Sequence, residues 1–188
     1  MNTILNSLNK KTLSLKAQII AILFGIASAV ALPQIVHLLG AAAGVGTLFG
    51  ELFLPMHFSV IFIGLAAGRR AGAIAGFFSP LVSFFLTSMP GIVVLPFMMI
   101  ELMGYGFFAG LLKNAKAPVF LKVLFAQIAG RALRFLAIGI AFFGFSYTKV
   151  APMSVWMSVP RGLVGIVLQL VLIPLLIFRL TAYSGNDR

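Results

Sequence analysis

Glu101 is the residue from which a function for this chain can be argued. It lies near the middle of LPFMMIELMGYGFFAGLL, residues 95–112, an otherwise apolar run. The chain carries only three acidic residues, and Glu51 and Asp187 fall in polar or terminal segments. A carboxylate inside hydrocarbon costs about 2.5–3.5 kcal/mol on insertion scales, so such a group is kept for a partner, a ligand or a proton. Arg131 and Arg134 stand in a second apolar run at i, i+3, with Gln127 four residues before Arg131, so the three share one helical face. Gln169 lies in a third run, and Tyr105 one turn beyond Glu101. A guanidinium binds a carboxylate or stacks on a ring in a fixed fork. A carboxylate accepts two N–H bonds from an amidine-like heterocycle edge.

These side chains need helices to hold them. The 188 residues are 61% hydrophobic and 9% charged, with mean hydropathy +1.13. Soluble domains carry about 25% charged residues, so the composition describes an integral membrane domain with almost no soluble part. A span needs about 20 apolar residues, and six segments qualify: 17–39, 52–68, 71–87, 93–112, 121–145 and 159–180. The expected fold is an all-α bundle of six transmembrane helices in a single domain, 1–188. Pro55, Pro80 and Pro174 fall at or inside these segments and leave their ends least defined. The N-terminal MNTILNSLNKKTLSLK reads as a short leader to an uncleaved first helix, since the apolar run after it is too long for a signal-peptide core.

Charge sets the orientation. With six spans, ten of the 14 Lys and Arg residues share one side: Lys10, Lys11, Lys16, Arg69, Arg70, Lys113, Lys116, Lys122, Arg179 and Arg188. The other side receives Lys149 and Arg161. The positive-inside rule then places both termini in the cytoplasm. The formal charge of +11 is accounted for this way, without nucleic acid.

In this frame, depths from the outer face follow from 1.5 Å per residue. Glu101 lies about 12 Å down, Arg134 about 16 Å and Gln169 about 15 Å. Three consecutive helices offer polar groups at matching depth, as in the floor of an outward-facing cavity. Two readings stay open: a structural ion pair locking the fourth helix to the fifth, or a ligand site in which the surplus arginine meets an anionic or acceptor-rich compound. His57, about one turn below the outer surface, is a packing residue or a ligand contact. Met56, Met89 and Met98 are adaptable wall or core residues. Ser79 and Ser83 line the cavity or bond backbone carbonyls. Trp156, in the outer link SYTKVAPMSVWMSVP, is an interface anchor or a ligand wall. The Gly-rich outer link GAAAGVGTLFGE is a flap over the site or a plain loop.

The first helix carries small residues at i, i+4, i+8 and i+12: Ala17, Ala21, Gly25 and Ala29, with Ala27 and Ala31 as a second pair. Such ridges admit a close helix, from within the bundle or from a partner membrane protein. Enzyme signals are missing. No HExxH, GxSxG, Walker motif or paired-carboxylate site is present, so ATP hydrolysis falls to other chains. There is no cysteine, and two histidines alone make no metal cage. Neither a metal nor a bound cofactor is expected.

Together AQIIAILFGIASA, LPMHFSVIFIGLAAGRRAGAIAGFFSPLVS, MPG followed by MMIELMGYGFFAGLL, and PRGLVGIVLQLVLIPLL resemble, over nearly the full length, the substrate-binding S components of energy-coupling factor vitamin transporters. The resemblance implies high-affinity capture of a micronutrient near the outer face of a prokaryotic plasma membrane. It implies a site built from the loop after the first helix and from the fourth to sixth helices. It also implies association with a transmembrane coupling protein and two cytoplasmic ATPases, and toppling of the subunit during transport. By position, Glu101, Arg131, Arg134 and Gln169 fall where family ligands bind, with Trp156, Tyr105, Met56 and His57 as further contacts. Ala21, Gly25 and Ala29 would dock the coupling protein, or Ala27 and Ala31 in the alternative register. The helix-five arginines are not a general feature of that family. A purine-like or deazapurine ring of the queuosine type suits Glu101, and pantothenate or another carboxylate suits the arginines. Cobalamin, pyrimidine and pyridoxine vitamers are the other candidates. The competing classes are a membrane scaffold with a structural Glu–Arg pair and a self-sufficient small-solute permease.

Overall fold

The computed structural model describes residues 13–186, and among these there is helix and no strand. Lys10, Lys11 and Arg188 of the basic set lie outside the described residues. Helix α1 spans Leu15–Ala42 and opens on Ser14, whose hydroxyl accepts from the Ala17 amide at 3.3 Å, a standard N-cap. Short α2 (Leu48–Phe53) runs into α3 (Pro55–Ala67) through Leu54. α4 (Arg69–Thr87), α5 (Leu95–Leu111) and α6 (Val119–Gly139) follow, and α6 continues as a π-helical turn over Ile140–Gly144. Short α7 (Ser154–Arg161) precedes α8 (Leu163–Asn186).

Among the described residues, five helical segments are long and apolar enough to cross a membrane: α1, α2 with α3, α4, α6 with its π turn, and α8. α5 is apolar but has 17 residues. Two of the six starts shift by four residues from the sequence expectation, the others by two. The second segment begins at Leu48 and is broken at Leu54, which takes left-handed angles (φ 49, ψ 49). Pro55 forces this break, because it has no N–H to donate and crowds the preceding turn. The sixth segment begins at Leu163, since Val159–Arg161 belong to the separate helix α7.

Glycine sets the spacing of the helices that carry the ionic groups. Gly72 on α4 and Gly106 on α5 meet backbone to backbone, and a Cβ at either would collide with the other residue. Gly76 abuts the Leu102 carbonyl, and Gly110 abuts Arg69. Small residues four apart on both helices permit this approach, the usual device of helix pairs in membranes. Gly104 and Gly130 do the same between α5 and α6: a Cβ at Gly104 would lie 3.2 Å from Gly130 Cα, and one at Gly130 would strike the Tyr105 ring. Gly130 is one turn from Arg134 and Gly104 is one turn from Glu101, so this close crossing brings acid and base together.

The small-residue ridge of α1 is filled from inside. Gly25 and Ala29 are buried. A Cβ at Gly25 would sit 2.9 Å from Ile63 Cγ1 and 3.2 Å from Ala75 Cβ, and Ala17 and Ala21 pack against the cluster of Ile63, Ala67, Ala71 and Ala75. The expected docking residues Ala21, Gly25 and Ala29 thus lie on a face that α3 and α4 occupy within the bundle. Ala27 and Ala31 are exposed on the opposite face, beside Leu23, Phe24, Ile35 and Leu38.

Candidate functional site

A cavity of about 540 Å³ opens among the ends of α1, α3, α4, α5 and α6, beneath α2, α7 and the 88–94 turn. Arg69, Arg70 and Lys113 line a separate hollow of about 360 Å³ with Leu13 and Asn114. Lys113 there donates to the Ala66 carbonyl at 2.6 Å, and burial lowers its pKa from the ordinary lysine value. The two hollows sit at opposite ends of the bundle. One is closed by the links that precede α2, α5 and α7, the other by the basic links.

Glu101 lies at the inner wall of the larger cavity and is 2% exposed. Its Oε2 accepts from Arg134 Nη1 at 2.8 Å, and its Oε1 accepts from Tyr105 Oη at 2.8 Å. The phenol comes from the same helix at i+4, and the guanidinium comes across the Gly104–Gly130 crossing. Both carboxylate oxygens are thus engaged, which offsets much of the desolvation that burial imposes. Arg131 also lines the cavity. It is 7% exposed, its Nε has no hydrogen-bond partner, and among the described residues it has no ion pair.

His57, on the first turn of α3, lines the cavity with Met56. Its ring lies 5.3 Å from that of Tyr105, and its Nδ1 has no partner. Met89, Met98 and Ser83 also face the cavity, whereas Ser79 donates to the Ala75 carbonyl at 2.6 Å and is buried away from it.

Three expected contacts lie elsewhere. Tyr105 is fully buried behind Glu101 and does not line the cavity. Gln169 is 1% exposed and turned to another task. It accepts from Gln127 Nε2 at 2.9 Å and donates to the Leu54 carbonyl at 3.3 Å, which ties α6 and α8 to the break between α2 and α3. Gln169 does not face the cavity, because α8 packs against α6 and α3 and its partner is Gln127, two turns along α6 from Arg134. Trp156 is 45% exposed, packs its ring 6.1 Å from that of Phe135, and lies outside the lining.

Other lining residues were not foreseen as contacts. His37, with Pro33 and Gln34, contributes the α1 wall, and the His37 Nδ1 has no partner. The stripe Gly25, Ala29, Pro33 continues at four-residue spacing to His37. Read as an inward stripe, it places His37 in the cavity. The Gly-rich link is a compact reversal: Gly44 and Gly46 take φ of 74° and 58°, Val45 N donates to the Gly40 carbonyl at 2.9 Å, and Gly40 has no room for a Cβ beside the Gly46 carbonyl. Glycine is required at 44 and 46 by those angles. The link delivers Thr47, Gly50 and Glu51 to the cavity mouth, where Glu51 Oε2 stands 4.0 Å from Arg161 Nη1 of α7.

The arrangement is a wall of ion-paired and hydrogen-bonded polar groups under a polar rim, suited to holding a small polar molecule. No protein-family model matches the chain, and no curated protein and no solved structure shows significant similarity to it.

Proposed function

We propose that this chain is the substrate-capture subunit of an energy-coupling-factor-type importer, a six-span S component that binds a vitamin-like micronutrient at the outer face of a prokaryotic plasma membrane. The observation that carries the reading is the cavity of about 540 Å³ with Glu101, Arg131 and Arg134 on its wall. Buried ionic groups in an apolar bundle are expensive and mark ligand or ion pathways, and pockets of this size suit small molecules. The α5 helix is the sixth span in this reading. At 17 residues it reaches about 26 Å, slightly short of the roughly 30 Å hydrocarbon core. Its place between α4 and α6 shields it from most lipid contact.

Capture alone moves nothing across a membrane, and the sequence has no nucleotide-binding motif. A transmembrane coupling protein and two cytoplasmic ATPases supply the work in this reading, docking on the exposed small pair Ala27 and Ala31 of α1. The tagged chain, purified from its own host in mild detergent, is expected to carry these three subunits and a small molecule, and to support ATP-dependent uptake of that molecule in vesicles with them. Purification free of ATPases, with no ATP-dependent uptake on reconstitution with candidate modules, overturns it. A scaffold function is favoured by one observation, the closed Glu101–Arg134–Tyr105 bond set, which satisfies Glu101 without a ligand. It expects no small molecule in the cavity.

A further inference from the structure

We propose that the cavity selects a small monoanion, a carboxylate whose counter-ion is Arg131. The inference rests on the capture reading only in taking the cavity as a ligand site. It does not depend on the coupling partners.

The charges on the wall and rim of the cavity are Glu51, Glu101, Arg131, Arg134 and Arg161. Glu101 takes Arg134 at 2.8 Å and Glu51 faces Arg161 at 4.0 Å. Three arginines against two glutamates leave one positive charge, and the geometry places it on Arg131. That residue is 7% exposed, so water does little to compensate it. Its Nε is buried without a hydrogen-bond partner, as is that of Arg134, but Arg131 lines the cavity with no carboxylate paired to it among the described residues.

Glu101 is the obvious competitor for a ligand, because a heterocycle with an amidine-like edge would seek it. Its two oxygens already accept from Tyr105 and Arg134, and it is 2% exposed. It serves to hold Arg134 while Arg131 is left for the ligand. One guanidinium presents a planar fork that matches one carboxylate. A doubly charged anion would leave one negative charge uncompensated beside Glu101.

The test uses the purified chain alone in detergent at fixed ionic strength. Benzoate is titrated against benzamide, nicotinate against nicotinamide, and sulfate in parallel, with binding read from the thermal unfolding midpoint. In each pair the carboxylate is expected to bind about tenfold or more tightly, the ratio one charge-assisted hydrogen bond supplies. Arg131→Gln is expected to abolish the preference and Arg131→Lys to keep it in weakened form. Should Arg131→Gln fail to fold, the wild-type ratios and Arg131→Lys decide the matter. Equal binding of acid and amide, no binding of either member of both pairs, sulfate binding tighter than benzoate, or a preference that survives Arg131→Gln each overturns the assignment. Carboxylate preference without ATPase association refutes the transport reading and leaves this one intact. ATP-driven uptake of a solute without carboxylate preference does the reverse.

Discussion

Gln169 reaches from α8 to the carbonyl of Leu54, 3.3 Å away and 115 positions earlier in the chain. Leu54 is the left-handed residue at which the second span breaks, a conformation that costs a branched residue roughly 1–2 kcal/mol. The same glutamine accepts from Gln127, so one side chain joins three elements at a strained point. Gln169→Leu leaves the Gln127 amide unpaired and the Leu54 carbonyl with only its backbone bond. It is expected to lower stability by about 1–3 kcal/mol in detergent unfolding, with the benzoate-to-benzamide affinity ratio unchanged. A lost ratio with stability intact would show that Gln169 touches the ligand after all.

The Glu101–Arg134 pair is open to a double-mutant cycle. Removing one partner strands the other in a buried site, so Glu101→Gln and Arg134→Gln should each cost about 2–4 kcal/mol. The double substitution should cost less than their sum, with a coupling of about 1–3 kcal/mol. Strict additivity in the unfolding midpoints would mean that the 2.8 Å contact contributes nothing of its own. Glu101→Gln is also expected to release Arg134 toward the cavity and raise its affinity for benzoate.

Two substitutions on α1 separate internal packing from docking. Gly25→Val places methyl groups where Ile63 and Ala75 already stand, and overpacking of this kind costs about 1–3 kcal/mol. Ala27→Leu adds bulk on an exposed face and should change stability by less than about 0.5 kcal/mol, while blocking co-purification of the coupling protein. Stability loss in Ala27→Leu with partners retained would place the docking face elsewhere.

That Glu101 would meet an arginine of the following long helix was legible in the sequence, because position along a helix is counted at a fixed rise; which of Arg131 and Arg134 it meets was left open, and the structure shows Arg134. Azimuth was less accessible. Gln169 faces Gln127 and the Leu54 break, and Tyr105 stands behind Glu101. Which way a small-residue ridge points depends on what other helices offer it, and Ile63 and Ala75 lie 38 and 50 positions beyond Gly25. The glycines of α4 and α5 were visible four apart, but their pairing is a tertiary fact. His37 was missed because the ridge was followed only as far as Ala29 and Ala31, short of Pro33 and His37.

The topology can be tested cleanly because the chain has no cysteine of its own. Thr47 and Ala151 are exposed in the links before α2 and α7, and Asn114 is exposed in the basic link after α5. The positive-inside rule puts the basic links in the cytoplasm. Single-cysteine variants Thr47→Cys and Ala151→Cys should therefore react with a membrane-impermeant maleimide in intact cells, and Asn114→Cys only after permeabilisation. The three sites also decide whether the 17-residue α5 crosses. If it does not, Asn114→Cys stays on the side reached after α4 and labels from outside, while Ala151→Cys becomes protected. Labelling of Thr47→Cys from outside with that inverted pattern would reduce the bundle to five spans and put the basic link between α5 and α6 outside. The cavity, which takes its lining from both the Thr47 link and α7, would then have to straddle the membrane rather than open to one face, and the capture reading would fail with it.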